Sequence, residues 1–247
     1  MKRARFVAGG VVHEGVWDGH QLFDESGRAY AETEVIWLPP VRPGKIIGLA
    51  LGFKEHAEEL GVAEPEAPAL FFKPPTALVG HRSPVRYPAG ARYVHYEVEL
   101  AVVIGRRCRR VSRARAYDVV RGYTIANDMT VRDHITNFYR PPVRAKGWDT
   151  ACPVGPVVVE GEIEDPHALE LRAYVNGELR QRGHTRHLRY SIPELIEHIT
   201  SFMTLEPDDL ILTGTPRGIS PLAPGDVVRL EIDGIGSLEN PVQPDDG

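Results

Sequence analysis

Apolar and polar residues alternate in short stretches along much of the chain, which is the period-two pattern of strands with one buried face. The stretch from His95 to Gly105 shows the pattern clearly, because Val98 and Leu100 alternate with glutamates before a continuous apolar run. A second strand is predicted from Gly122 to Asp128. Similar patterns predict further strands at Lys45 to Gly52, Leu171 to Val175, Glu178 to Arg180, Asp209 to Thr213 and Asp226 to Asp233.

The first 43 residues consist of short alternating pieces separated by the turn dipeptides Gly9-Gly10 and Asp18-Gly19. They end at a proline-rich run, Pro39 to Gly44, which is typical of a linker. We therefore predict a small N-terminal β domain at residues 1–43 and a catalytic domain at residues 44–247. The smaller unit is expected to pack on or cover the larger one, and no chemistry is assigned to it.

Three segments favour helices, and one dipeptide favours a tight turn. A short helix is predicted from Phe53 to Gly61, and Ser112 can cap another that runs through Val120. Ser191 opens a third helix with a capping-box pattern, and its buried stripe is Leu195, Ile196, Ile199, Phe202 and Met203. Asn176-Gly177, between two predicted strands, is a strong signal for a β-hairpin.

Two glutamates on the strand after Tyr93 indicate a metal site. Glu97 and Glu99 are two residues apart, so they project from the same face of a strand, and Asp128 at the end of the second strand could add a third carboxylate. Oxygen ligands without Cys or His favour Mg²⁺, Mn²⁺ or Ca²⁺ over zinc. Three protein ligands leave about three of six octahedral positions for water or substrate, which suits catalysis. The same pattern, taken alone, also fits the solvated face of an antiparallel sheet.

Charge and cysteine content exclude several classes of protein. The chain has 29 basic and 34 acidic residues, a net charge of −5 that does not indicate general nucleic-acid binding. Its cysteines, Cys108 and Cys152, form no CxxC pair, so neither a disulfide framework nor a cysteine zinc site is implied. No stretch is apolar enough to span a membrane. We expect a soluble cytoplasmic protein.

The predicted helix after Phe53 carries a candidate acid–base pair. His56 and Glu59 are three residues apart and so lie on one helix face. A carboxylate beside an imidazole fixes its tautomer and raises its basicity, as a general base requires. An exposed ion pair on a charged helix is the other interpretation of the same residues.

Six short motifs, taken in order, are similar to those of the fumarylacetoacetate hydrolase family. They extend over roughly residues 44–240 and comprise Gly48 to His56, Phe71-Phe72-Lys73-Pro74, His95-Tyr96-Glu97-Val98-Glu99, Asn127-Asp128, Lys146-Gly147 with Cys152-Pro153, and Thr213-Gly214-Thr215-Pro216. Three other segments resemble the homoprotocatechuate-degradation branch of the family, namely Asn137 to Pro141, Val175 to Gln181 and Phe202 to Leu205. Many relatives carry Asn-Tyr where this chain has Gly52-Phe53, so a polar contact is missing or replaced there.

The resemblance implies a fold and a set of site residues. The fold would be α+β and mainly β, a mixed β-sandwich roll that is commonly dimeric. Glu97, Glu99 and Asp128 would bind Mg²⁺ or Mn²⁺. His56, Glu59 and Lys146 would be catalytic, with the histidine and glutamate moving protons above the metal and the lysine stabilising an enolate or a substrate carboxylate. Substrate contacts are expected at Lys73, Arg140, Arg144 and Thr215, since the two arginines could each bind a remote carboxylate bidentately.

The resemblance further implies a metal-dependent isomerase or decarboxylase of 2-oxo (2-hydroxydienoic) dicarboxylates in homoprotocatechuate degradation, acting through a metal-stabilised enolate. An acylpyruvate hydrolase or an oxaloacetate decarboxylase on the same scaffold is the first alternative. The second is a non-catalytic β-domain whose three carboxylates bind Ca²⁺ structurally or face solvent. No Gly-x-Ser-x-Gly or His-Glu-x-x-His motif is present, so nucleophile chemistry is not indicated.

Overall fold

The computed structural model describes residues 1–61, 65–135 and 141–245, without the side chains of His56, Ala57 and Leu60. Strands predominate in these ranges, and the mainly β, α+β class is confirmed. None of the helices in the described part of the chain is long and apolar enough to cross a membrane.

The strands of the described residues are numbered in chain order. They are β1 (Lys2–Ala8), β2 (Val11–Trp17), β3 (Gln21–Phe23), β4 (Ala29–Ala31), β5 (Ile36–Leu38), β6 (Ile46–Ala50), β7 (Ala69–Lys73), β8 (Leu78–Val79), β9 (Val85–Tyr87), β10 (Val94–His95), β11 (Val98–Ile104), β12 (Val120–Asn127), β13 (Thr130–Val131), β14 (Cys152–Val159), β15 (Glu170–Val175), β16 (Glu178–His184), β17 (Leu210–Leu212), β18 (Pro221–Leu222), β19 (Val227–Ile232) and β20 (Gly236–Pro244).

The largest sheet has 12 strands and includes the N-terminal ones. Its order is β4-β3-β2-β1-β14-β12-β11-β17-β6-β7, with β5 paired to β1 and β8 paired to β14. Strand β1 connects the first part of the chain to the centre, since it runs antiparallel to β14 with Arg3 opposite Val158. A division into domains at residues 43 and 44 remains a prediction.

A second, 5-stranded sheet packs over the centre of the first. Its order is β16-β15-β19-β20-β9, and its strands contact β11, β12 and β14 of the large sheet. Strands β11 and β14 are buried along their whole length because both of their faces are covered. The hairpin predicted at Asn176-Gly177 is confirmed between β15 and β16, with both turn residues at positive φ.

The described residues contain three α-helices and several short 3₁₀ segments. The α-helices are α1 (Lys54–Leu60), α2 (Val143–Lys146) and α3 (Ile192–Phe202). The helix predicted from Ser112 through Val120 is instead a 3₁₀ helix at Arg113–Val119, and the Ser112 side chain makes no capping hydrogen bond. This segment packs against α3, and its backbone bonds follow the i to i+3 pattern, as from the Arg115 N–H to the Ser112 carbonyl.

The capping box at α3 leads to a first prediction. Ser191 Oγ accepts from the Glu194 N–H at 3.3 Å, and the Glu194 carboxylate accepts from the Ser191 N–H at 2.8 Å. Replacing Ser191 with Ala should lower the free energy of unfolding by about 1 kcal/mol, because a helix N–H group loses its acceptor. Urea denaturation measures this loss. Ser201→Ala is the matched control, since that hydroxyl donates to the His198 carbonyl within the helix, and an equal loss there would contradict the capping explanation.

Candidate metal and acid–base site

Three carboxylates meet where β11 begins and β12 ends. The two strands are antiparallel with Val98 opposite Asn127, so Glu97 and Asp128 come to adjacent positions. The Asp128 N–H donates to the Glu97 carbonyl at 3.0 Å, and the Asn127 side chain accepts from the Glu97 N–H at 2.9 Å. One oxygen each of Glu97, Glu99 and Asp128 lies within 4.8 Å of the others, and all three residues are buried. Their burial rules out the solvated-sheet interpretation.

The three buried carboxylates favour the binding of a cation. Burial, followed by the neighbouring charges of Asp128 and Glu97, raises the pKa of Glu99 well above its ordinary value. Three ionised carboxylates this close together repel each other, and a cation among them removes that cost. The donor set is made only of carboxylate oxygens, so it fits a hard divalent ion such as Mg²⁺ or Mn²⁺.

Two lysines and an arginine surround the triad. Lys146, at the end of α2, donates to Glu97 Oε2 at 3.0 Å and to Asp128 Oδ2 at 2.5 Å. Lys73, at the end of β7, donates to Asp128 Oδ1 at 2.7 Å, and the Arg132 guanidinium donates to Glu97 Oε1. These contacts join five charged groups, and Glu99 lies beside them in the triad.

The charge of Lys146 is maintained by its neighbours. Burial lowers the pKa of this ammonium, but the carboxylates of Asp128 and Glu97 outweigh that effect, and the net result is a pKa above the ordinary value. Its Nζ also lies 4.6 Å from the centre of the Phe71 ring, at a distance suited to a cation–π contact. Lys146 is therefore a permanent positive charge at neutral pH.

The loop after β17 closes one side of the site. The Gly214 N–H donates to Glu99 Oε2 at 2.6 Å. Gly214 has a φ of 96°, and a Cβ there would lie 2.5 Å from the Gly52 Cα, so only glycine fits. The hydroxyl of Thr215, a predicted substrate contact, accepts from Gln181 Nε2 at 3.0 Å. The loop and the triad therefore form one connected hydrogen-bonded structure.

The structure describes some of the remaining predicted site residues and not others. Glu59 on α1 accepts the Gly218 N–H with Oε1 at 2.9 Å, which brings α1 to the same loop. The side chain of His56 and the whole of Arg140 lie outside the described residues. Arg144 on α2 is exposed. The roles given to these residues remain predictions.

Sequence reasoning assigned no role to Arg132, Thr130 or Gln181. Thr130 donates to Glu97 Oε1 at 3.0 Å from strand β13, and Arg132 follows two residues later. The alternation of polar residues at 128, 130 and 132 was a usable signal, because residues two apart share a face. Gln181 is far from the triad in sequence, and no local pattern could have identified it.

The chain belongs to the fumarylacetoacetate hydrolase family, since the profile described as fumarylacetoacetate (FAA) hydrolase C-terminal matches residues 45–243. This confirms the family predicted from the motifs. A 4-hydroxyphenylacetate degradation bifunctional isomerase/decarboxylase of Salmonella dublin is 45% identical over 214 residues, covering 86% of this chain and 50% of the relative. The chain spans about half the length of the curated bifunctional relatives it matches.

Solved structures agree over nearly the whole chain. 5-Carboxymethyl-2-hydroxymuconate delta-isomerase from Mycobacterium smegmatis has a TM-score of 0.90 and 40% identity, with 100% of both chains covered. Maleylpyruvate hydrolase from Sphingobium sp. SYK-6, solved in complex with manganese(II) ion and pyruvate, has a TM-score of 0.84 and 32% identity, with 99% of each chain covered. The predicted mixed β-sandwich roll is therefore confirmed.

Proposed function

We propose that this chain is a divalent-metal-dependent isomerase/decarboxylase of 2-oxo (2-hydroxydienoic) dicarboxylates in homoprotocatechuate (4-hydroxyphenylacetate) degradation. The observation that carries the proposal is the buried triad of Glu97, Glu99 and Asp128 with its three neighbouring cations. The names of the bifunctional and isomerase relatives support this branch of the family. The proposal includes Mg²⁺ or Mn²⁺ as cofactor and a cytoplasmic homodimer.

The charge balance of the site favours a dianionic substrate. When the three carboxylates are ionised, they are matched by Lys73, Lys146 and Arg132. A divalent cation held by the triad would leave two positive charges in excess, which a dicarboxylate neutralises. When bound, this ion supplies Lewis-acid stabilisation of negative charge on the 2-oxo oxygen.

The chain's own groups would orient the substrate and handle its protons. Lys146 provides a second fixed positive charge where negative charge develops during isomerisation or loss of CO₂. Arg132 and Thr130 hold Glu97 in place through separate hydrogen bonds. Glu59, together with His56, would remove a proton at one end of the conjugated chain and return it at the other. The Gly214–Thr215 loop would border the substrate carboxylate.

The proposal predicts turnover that depends on a divalent metal. With Mg²⁺ or Mn²⁺, the protein should consume 2-hydroxyhepta-2,4-diene-1,7-dioate with loss of diene absorbance, or release CO₂ from 5-oxopent-3-ene-1,2,5-tricarboxylate. EDTA should abolish both reactions, and re-added metal should restore them. Glu97→Gln should remove activity, because the triad loses one charged ligand. Glu160→Gln should not, since its carboxylate pairs with Arg121 away from the site.

Two further substrates decide between reaction types on the same scaffold. Acylpyruvate hydrolysis or oxaloacetate decarboxylation without diene turnover would contradict the proposed branch while leaving the metal site intact. No reaction on any of the four substrates, together with no metal binding, would contradict the site itself. Light scattering tests the homodimer, and a monomer of 27.4 kDa would contradict that part.

A further inference from the structure

The peptide group of Gly218 is held from two sides. Its N–H donates to Glu59 Oε1 at 2.9 Å, and its carbonyl accepts from the Tyr96 hydroxyl at 2.9 Å. This glycine therefore connects a carboxylate on helix α1 to a side chain of the protein core.

The Tyr96 hydroxyl has a defined orientation. Tyr96 is fully buried, and its oxygen also lies 2.9 Å from Ser220 Oγ. The Gly218 carbonyl can only accept, so the tyrosine proton goes to it and the Ser220 hydroxyl donates to the tyrosine oxygen. Tyr96 directly precedes Glu97 in the chain, and its position is therefore tied to that of the triad.

Gly218 lies in a segment with little freedom to move. Its φ is 104°, and a Cβ at this position would lie 2.4 Å from the Arg180 carbonyl oxygen, so the backbone passes very close to β16. The loop before it is bonded to Glu99 through Gly214 and to Gln181 through the Pro216 carbonyl. The Gly218 N–H is therefore a fixed donor, and its direction is set by groups that also build the metal site.

Helix α1 needs contacts of this kind to hold its place. It has seven residues, and a helix this short is not stable without tertiary contacts. Glu55 pairs with His187 at 3.2 Å, but both side chains are partly exposed to solvent, and such pairs contribute little. The bond from Glu59 differs because its partner is a backbone group that is anchored in the core.

We infer that Tyr96 and Gly218 are positioning residues that set the place of Glu59, and with it helix α1, relative to the carboxylate triad. The hydrogen bonds run from the core through the Tyr96 hydroxyl and the Gly218 peptide to the Glu59 carboxylate. The effect of this arrangement on turnover rests on the proposed function, whereas its effect on α1 does not.

The test is Tyr96→Phe, which removes the hydroxyl and keeps the buried ring. Amide hydrogen exchange over residues 54–61 should become about tenfold faster, because the Gly218 peptide loses its hydrogen bond to the core and holds Glu59 less firmly. The kcat should fall about tenfold with little change in KM. Mn²⁺ binding measured by calorimetry should stay the same, since the triad is untouched.

Three further variants distinguish an effect on the position of α1 from an effect on the chemical role of Glu59. Ser220→Ala keeps the Tyr96–Gly218 bond and should match the wild type in exchange. Glu59→Gln keeps an acceptor for the Gly218 N–H, so α1 exchange should stay slow while turnover is lost. Glu59→Ala, at an exposed position that does not endanger the fold, should accelerate α1 exchange as Tyr96→Phe does.

Unchanged α1 exchange in Tyr96→Phe would overturn the inference, and so would unchanged α1 exchange in Glu59→Ala. Equal acceleration in Ser220→Ala and Tyr96→Phe would also overturn it, since the effect would then not depend on the bond to Gly218. If the wild type converts none of the proposed substrates, the proposed function fails, and the exchange measurements still decide the positioning role.

Discussion

Replacing Glu99 with Gln should separate activity from stability. Turnover with saturating Mg²⁺ or Mn²⁺ is expected to fall on the order of a thousandfold, because the triad loses one of its three charged ligands. The metal-free variant should melt at a temperature at least as high as that of the wild type. Glutamine can still accept the Gly214 N–H, and the unfavourable buried charge of Glu99 is removed.

The pH dependence of this stability difference follows from the direction of the pKa shift. The pKa of Glu99 is raised in the folded state, so its ionisation costs stability at high pH, and this cost disappears as the pH falls and the carboxyl is protonated. The melting-temperature advantage of Glu99→Gln should therefore be largest at alkaline pH and vanish in acid. Calorimetry across pH on EDTA-treated protein measures this.

Asp209→Asn is the matched control for Glu99→Gln. Asp209 is equally buried, but its carboxylate is paired with Lys45 and accepts the Glu206 N–H. This variant should lose stability and keep both metal affinity and turnover per folded molecule. A Glu99→Gln variant that binds Mn²⁺ normally, or that is strongly destabilised without metal at neutral pH, would contradict the role of Glu99 as a catalytic metal ligand.

Among the substitutions predicted here, removing the charge of Lys146 should cause the largest loss of folding stability. Lys146→Met leaves Glu97 and Asp128 without their shared ammonium donor, and breaking a buried pair in this way costs about 3–5 kcal/mol. Turnover should fall about a hundredfold even with saturating metal, since one fixed positive charge is lost from the site. Chemical denaturation and steady-state kinetics measure the two effects.

Added metal should partly rescue the Lys146→Met variant. Without the ammonium, the repulsion between the carboxylates is less well compensated. Mn²⁺ should therefore raise the melting temperature of the variant more than that of the wild type. Lys45→Met is the control, because it breaks the pair with Asp209 outside the site. It should lose stability without rescue by Mn²⁺. Rescue of both variants to the same extent would show that the effect of metal is not specific to the triad.

Local sequence was sufficient for the elements that depend on near neighbours. The capping box at Ser191 and the hairpin at Asn176-Gly177 involve groups within a few residues of each other, and both are confirmed. Glu97 and Glu99 were predicted to share a face because strand geometry has a strict period of two. The segment after Ser112 differs because its conformation also depends on contacts with the distant helix α3, including the pairs of Arg113 with Glu194 and Glu197.

The position of Asp128 beside the glutamates depended on register. A pattern of apolar residues does not say which strand is the neighbour of β11, and pairing Val98 with Asn127 is decided by the packing of the whole sheet. The family motifs supplied this information indirectly, as a set of residues that occur together. The contact of Lys73 with Asp128 followed only from the tertiary structure.

The sequence by itself determined the chemistry available to this protein, namely an oxygen-only triad, nearby basic residues and strands to carry them. The tertiary structure decided which of these groups form ion pairs and hydrogen bonds with each other. Lys73 reaches Asp128 across 55 positions of the chain, and the peptide of Gly218 joins Tyr96 to Glu59 across even longer separations. Such contacts leave no local pattern, because their geometry depends on how two sheets and their loops fold together.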